Sequence, residues 1–121
     1  MNTVTILFAL NALLLLLHEI ESAYEKEWGI LKLPGGITGF LLMHIPIILL
    51  LFWGLLEIEK GSTAGAVLGI IFGIGGVIPF LVHELLVKKP DRFNLLISKL
   101  IIYSNIVTGI VTAVLSISLL G

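Results

Sequence analysis

The stretch ITGFLLMHIPIILLLFWGLL, Ile37 to Leu56, holds twenty residues and not one Asp, Glu, Lys or Arg. At about 1.5 Å of rise per helical residue it covers roughly 30 Å, the thickness of a bilayer's hydrocarbon core. Three further apolar runs accompany it, at about Thr3–Ile20, Ala64–Val87 and Phe93–Leu120. None alternates as a strand would, and each far exceeds the roughly 9–11 residues of a membrane β-strand. The sequence therefore predicts an all-α integral membrane protein. Its four transmembrane helices form an up-down-up-down bundle, a single membrane domain over residues 1–121.

Composition points the same way. Hydrophobic residues make up 58% of the chain and charged residues 12%, with a mean hydropathy of +1.16. A soluble domain averages about 25% charged residues because its surface must be hydrated. Disorder requires the opposite balance, low hydrophobicity with high charge. A net charge of −1 offers no basic face for nucleic acid. The absence of cysteine excludes disulfides, thiolate metal sites and cysteine nucleophiles.

The connections carry turn chemistry. Leu33-Pro34-Gly35-Gly36 ends the first, Gly61-Ser62-Thr63 supplies a helix stop and an N-cap, and Lys88-Lys89-Pro90-Asp91 closes the third run. The second connection is short enough to make helices two and three a tight antiparallel hairpin, with Glu57, Glu59 and Lys60 in a solvated loop. Residues 21–33 mix charged and aromatic side chains with apolar ones. They read as an interfacial helical segment after helix one, anchored by Tyr24 and Trp28. The first run lacks basic residues before it and a small-residue cleavage site after it, so it reads as a retained helix and not a signal peptide.

Basic residues set the expected orientation. Lys26 and Lys32 lie in the first connection, and Lys88, Lys89, Arg92 and Lys99 lie in or beside the third; only Lys60 is in the second. The positive-inside rule makes the first and third connections cytoplasmic and places both termini outside.

Polar groups inside membrane helices are costly, so their positions are the best guide to function. His18 falls at the end of helix one, His44 near the start of helix two and His83 near the end of helix three. Up-down topology puts all three in one layer, near the cytoplasmic leaflet. At about 100° per residue, Asn11, His18, Glu21, Ser22 and Glu25 form one polar stripe. Ser98, Asn105, Thr108, Thr112 and Ser116 form another, readable as interhelical glue. Gly65, Gly69 and Gly76 share a face with His83, and Pro46 follows His44 closely enough to open the backbone there. The series Gly61, Gly65, Gly69, Gly73 reads most simply as a packing surface, within the bundle or between copies.

Imidazole and carboxylate are the ligands that Zn²⁺ and Fe²⁺ take when cysteine is absent. An i, i+3 His/Glu pair projects both groups from one helix face, as in carboxylate-bridged bundles. The sequence thus nominates His18, Glu21, His44 and His83 as metal ligands, zinc first and iron second. Glu19 or Glu84 would orient an imidazole or act as base. His18-Glu19-Ile20-Glu21 is not a zincin motif, because no second histidine follows four residues on.

The run His18-Glu19-Ile20-Glu21-Ser22-Ala23-Tyr24-Glu25-Lys26-Glu27-Trp28, with Leu33-Pro34-Gly35-Gly36, is similar to a family of small prokaryotic multi-pass membrane proteins of unknown function. In that family the first helix ends in His-Glu-Ile/Leu-Asp/Glu and a Glu-Trp pair follows. The run also resembles the HXXEE membrane family, with Ser22 standing where a second consecutive Glu would be. The resemblance implies the membrane class and supplies no activity.

Three functions compete at this stage. One is a membrane metalloprotein, an enzyme on a lipid-like substrate in the cytoplasmic leaflet. Another is a proton- or ion-binding or transport protein using the same His/Glu cluster, with Gly65, Gly69 and Gly73 building a homo-oligomer. The third is a structural scaffold without ligand. Membrane lipid is the expected partner of each, and a haem held by two histidines ranks below all three.

Overall fold

The computed structural model describes residues 2–87 and 95–121. Residues 88–94, which hold the Lys88-Lys89-Pro90-Asp91 break, Arg92 and Phe93, lie outside the described residues. All regular structure among the described residues is helical: α1 (Thr3–Tyr24), α2 (Glu27–Ile30), α3 (Gly36–Lys60), α4 (Thr63–Gly75), α5 (Ile78–Val82), a π-helical turn (His83–Val87) and α6 (Leu96–Leu120). Four helical spans are long and apolar enough to cross a membrane: Thr3–Tyr24, Gly36–Lys60, Thr63–Leu85 and Leu96–Leu120. This is the architecture of a multi-pass membrane protein.

Capping sets the ends that the sequence marks. Asn2 accepts the Thr5 amide at 2.9 Å and the Thr5 hydroxyl at 2.8 Å, satisfying one of the free donors that every helix start leaves. Gly61 ends α3 in the left-handed conformation (φ 74), and Ser62 caps α4 by accepting the Gly65 amide at 3.0 Å. Only Gly61 and Ser62 separate the two helices, so the hairpin is tighter than the sequence reading made it. Glu57 and Lys60, expected in a loop, instead close the last turn of α3 and pair at 3.2 Å.

The interfacial helical segment expected over 21–33 is helical in two pieces, the end of α1 and α2. α1 runs to Tyr24, and Lys26 then adopts a left-handed conformation (φ 54) that redirects the chain into the single turn of α2. Tyr24 is exposed, whereas the Trp28 indole nitrogen is buried within the protein. Gly35 and Gly36, both at positive φ, then launch α3. The third span is also interrupted. α4 stops at Gly75, Pro79 lies near the start of α5, and the span finishes in the π turn. α3 continues through Pro46 as one helix.

α4 is clamped most extensively against α6, and α1 packs on α6 and α3 on α4. Lipid tails are as apolar as leucine, so such packing rests on close approach and not on the hydrophobic effect. Gly73 and Gly109 provide one example: a Cβ on Gly73 would stand 2.7 Å from the Gly109 carbonyl oxygen. Gly65 abuts the α3 backbone at Glu57 and Ile58, and Gly69 abuts Ser116. These glycines therefore meet α3 and α6 of their own chain, and association between copies would need another face. The buried apolar cluster Val4, Phe8, Leu51, Ile58 and Leu68 fills the half of the bundle around the α3–α4 hairpin. Buried polar side chains, among them Asn11, His18, Ser22, Ser98 and Asn105, occupy much of the remaining interior.

Candidate metal centre

His18 is 2% exposed near the end of α1, on the same inward stripe as the buried Asn11 and Ser22. Its ring centroid lies 5.1 Å from that of His83, tilted by 54°. His83 is the first residue of the π turn, a rare helical form that recurs at functional sites because it shifts side chains off the α register. Glu27, the first residue of α2, completes the group. It is 7% exposed, and its Oε2 lies 3.0 Å from His83 Nε2. One ligand atom from each of His18, Glu27 and His83 can be chosen so that all three lie within 4.8 Å of one another.

Two ligands held about 2.0–2.2 Å from one tetrahedral ion stand roughly 3.4 Å apart. The Glu27–His83 separation of 3.0 Å is close to that figure and the other two are no more than 4.8 Å, so side-chain adjustments would bring the three atoms onto a common centre. Two imidazoles and one carboxylate form a three-ligand set with a position left open, known for zinc. The same composition in facial geometry serves non-haem Fe²⁺. The donor chemistry and the spacing fit a divalent cation.

The remaining nominated residues go elsewhere. His44 pairs with Glu19, Nε2 to Oε2 at 2.6 Å, while its Nδ1 bonds the Phe40 carbonyl at 2.7 Å. A carbonyl oxygen only accepts, so Nδ1 carries a proton. A second proton must lie between Nε2 and Oε2, which commits both faces of this ring. Glu21 accepts a hydrogen bond from the Ser98 hydroxyl on α6. Glu84 is exposed on the π turn. The structure thus brings His18 and His83 together, sets His44 with Glu19, and gives Glu21 to Ser98.

Glu27 is the group that sequence reasoning missed. Nine residues beyond His18 correspond to about 900° on an unbroken helix, half a turn away from the histidine's face. The left-handed Lys26 undoes that extrapolation. Glycine, asparagine or aspartate would have signalled such a conformation; lysine does not.

The interior beside the site is also polar. Asn11 donates to the Phe72 carbonyl at 2.8 Å and accepts from Thr108 at 3.0 Å. Ser98, Asn105, Thr112 and Ser116 are fully buried, so the α6 stripe faces the bundle as its spacing implied.

A family profile described as a family of unknown function, DUF6713, matches residues 4–119, and the chain belongs to that family. No curated protein and no solved structure matches it. The matching family is DUF6713, and the resemblance of His18-Glu19-Ile20-Glu21 to the HXXEE family is not shown.

Proposed function

We propose that this DUF6713 protein is a membrane-embedded metalloprotein in which His18, His83 and Glu27 bind one divalent cation, zinc first and Fe²⁺ second. The observation that carries this reading is the group of three buried or half-buried donors within 4.8 Å of one another. A carboxylate drawn into a membrane bundle is expensive unless something offsets its charge. A cation held by Glu27 and two imidazoles would offset it. The open fourth position is where water or substrate sits in catalytic zinc sites, so the reading extends to an enzyme on a lipid-like substrate.

Orientation belongs to the same proposal. Six of the seven basic residues accompany the first and third connections, so the site lies near the cytoplasmic leaflet and both termini face outward. The end of α1, with exposed Tyr24, and the segment that follows it rest at that interface.

Elemental analysis of the protein purified in detergent tests the metal. About one zinc or iron per chain, lost in Glu27→Gln with helicity unchanged, is the expected result. A metal-free protein that also fails to take up Zn²⁺ in titration would exclude it.

A second reading rests on its own observation. Two histidine–glutamate pairs, His44 with Glu19 at 2.6 Å and His83 with Glu27 at 3.0 Å, stand in one layer. Without metal each pair shares a proton, which makes the layer a proton relay. Metal-free protein whose proton permeability in vesicles falls in Glu27→Gln would favour it.

A further inference from the structure

A lateral cleft between α1 and α3 has a volume of about 160 Å³. Leu16 and Ile47 wall it, Phe72 and Gly75 of α4 close its back, and its polar lining residues are Glu19 and His44. An engineered apolar cavity of about 150 Å³ takes up benzene, so this cleft has room for roughly six carbons of a chain. It is partly open, on a bundle whose outer surface is apolar along the spans; Leu49, Phe52 and Leu56 of α3 are each more than half exposed. What enters it comes from the bilayer.

Gly75 bears on whether the space is built. A Cβ there would meet nothing within 4 Å, and its φ is not in the left-handed region. Neither close packing nor a left-handed backbone therefore requires glycine at this last residue of α4. Its missing side chain is part of the cleft's volume. Gly65, Gly69 and Gly73, by contrast, are forced by close neighbours.

The polar residues define the headgroup. Both nitrogens of His44 are engaged, one by the Phe40 carbonyl and one by Glu19 Oε2. Glu19 keeps about a third of its side-chain surface exposed. The group it offers is a carboxyl oxygen beside a single shared proton, within a pair of zero net charge. A ligand anion would meet an acceptor where it needs a donor. An ammonium would add an uncompensated charge between apolar walls. A hydroxyl can donate to Glu19 and leave the charge of the pair unchanged.

We infer that this cleft binds the chain of a single-chain lipid alcohol, fatty or isoprenoid, with its hydroxyl against the Glu19–His44 pair. The inference concerns the pair that the metal proposal leaves aside, and it stands or falls separately from it.

The test is photocrosslinking of the protein in lipid nanodiscs with hexadecanol carrying a diazirine on its chain, mapped by mass spectrometry. Adducts are expected on the α1, α3 and α4 residues that line the cleft. Unlabelled hexadecanol should compete at least tenfold better than hexadecane or hexadecanoate. Gly75→Leu fills the cleft from behind and should cut labelling by tenfold or more. Ile47→Trp, at a position already 37% exposed, narrows it from the other wall and should do the same if Gly75→Leu fails to fold. Glu19→Gln should keep labelling while weakening the preference for the alcohol over the alkane. Adducts spread around the bundle, or labelling unchanged in both filling variants, would overturn the site. Equal competition by hexadecane, or stronger competition by hexadecanoate, would overturn the assigned headgroup.

Discussion

Glu27 Oε2 and His83 Nε2 lie 3.0 Å apart although 56 residues separate them in the chain. The contact joins the short helix after the first span to the π turn that ends the third, and His18 lies against the same pair. In Glu27→Gln one oxygen remains but the charge is gone. Loss of a supporting group around a metal costs about 10–100-fold in affinity, and loss of a charged ligand should reach at least the upper end. His44→Ala should leave metal content unchanged, because that ring is held by Phe40 and Glu19. Zinc titration of both variants in detergent distinguishes the two.

Lys26 sets where Glu27 points. Its left-handed conformation costs an L-residue about 1–2 kcal/mol, which Lys26→Gly would relieve at some cost in unfolded-chain entropy. That variant should unfold at an equal or slightly higher temperature and keep its metal. Lys26→Pro, with φ locked near −65°, cannot make the turn and should lose metal binding. Thermal denaturation and elemental analysis of the pair check both statements.

These expectations show what the sequence could and could not convey. The spans, the short hairpin at Gly61-Ser62, the inward α6 stripe and the approach of His18 to His83 all followed from hydropathy, turn residues and helical phase. Glu27 did not, because phase arithmetic assumes an unbroken helix and nothing in the residue type announced the turn at Lys26. His44 was placed in the right region but not with the right partner. Depth along a helix is set by residue count, whereas partner choice depends on side-chain direction: His44 meets Glu19, the residue next to His18. The interruption after Gly75 was legible in principle, since Pro79 lacks an amide to continue the ladder.

Leucine at two glycines of α4 should have opposite consequences. At Gly69 the new side chain would collide with Ser116 and stand 3.0 Å from Ile58 Cδ1, an overpacking that costs about 1–3 kcal/mol or more. At Gly75 its Cβ meets nothing within 4 Å. Gly69→Leu should lower the unfolding temperature in detergent or abolish folding, and Gly75→Leu should leave it nearly unchanged. Equal behaviour of the two would contradict the packing described.

Sidedness is open to a direct test. A reporter fused after Gly121 that is active only outside the cytoplasm should give signal, as should one placed before Asn2. Cytoplasmic signal at both ends would invert the orientation and carry the His/Glu layer to the opposite leaflet.

The interruption of the third span divides that span into two helical registers. α4 is locked to α6 through Gly73 and Gly109, but beyond Val77 the helix restarts with Pro79 inside its first turn and ends in the π turn carrying His83. The break resets the helical phase, so the direction of His83 is fixed by the segment after Val77 and not by the glycine face of α4. Phe80 against Tyr103, with ring centroids 5.9 Å apart, sets that segment on α6. One member of the candidate centre is thus aimed independently of the glycine contacts that join α4 to α6.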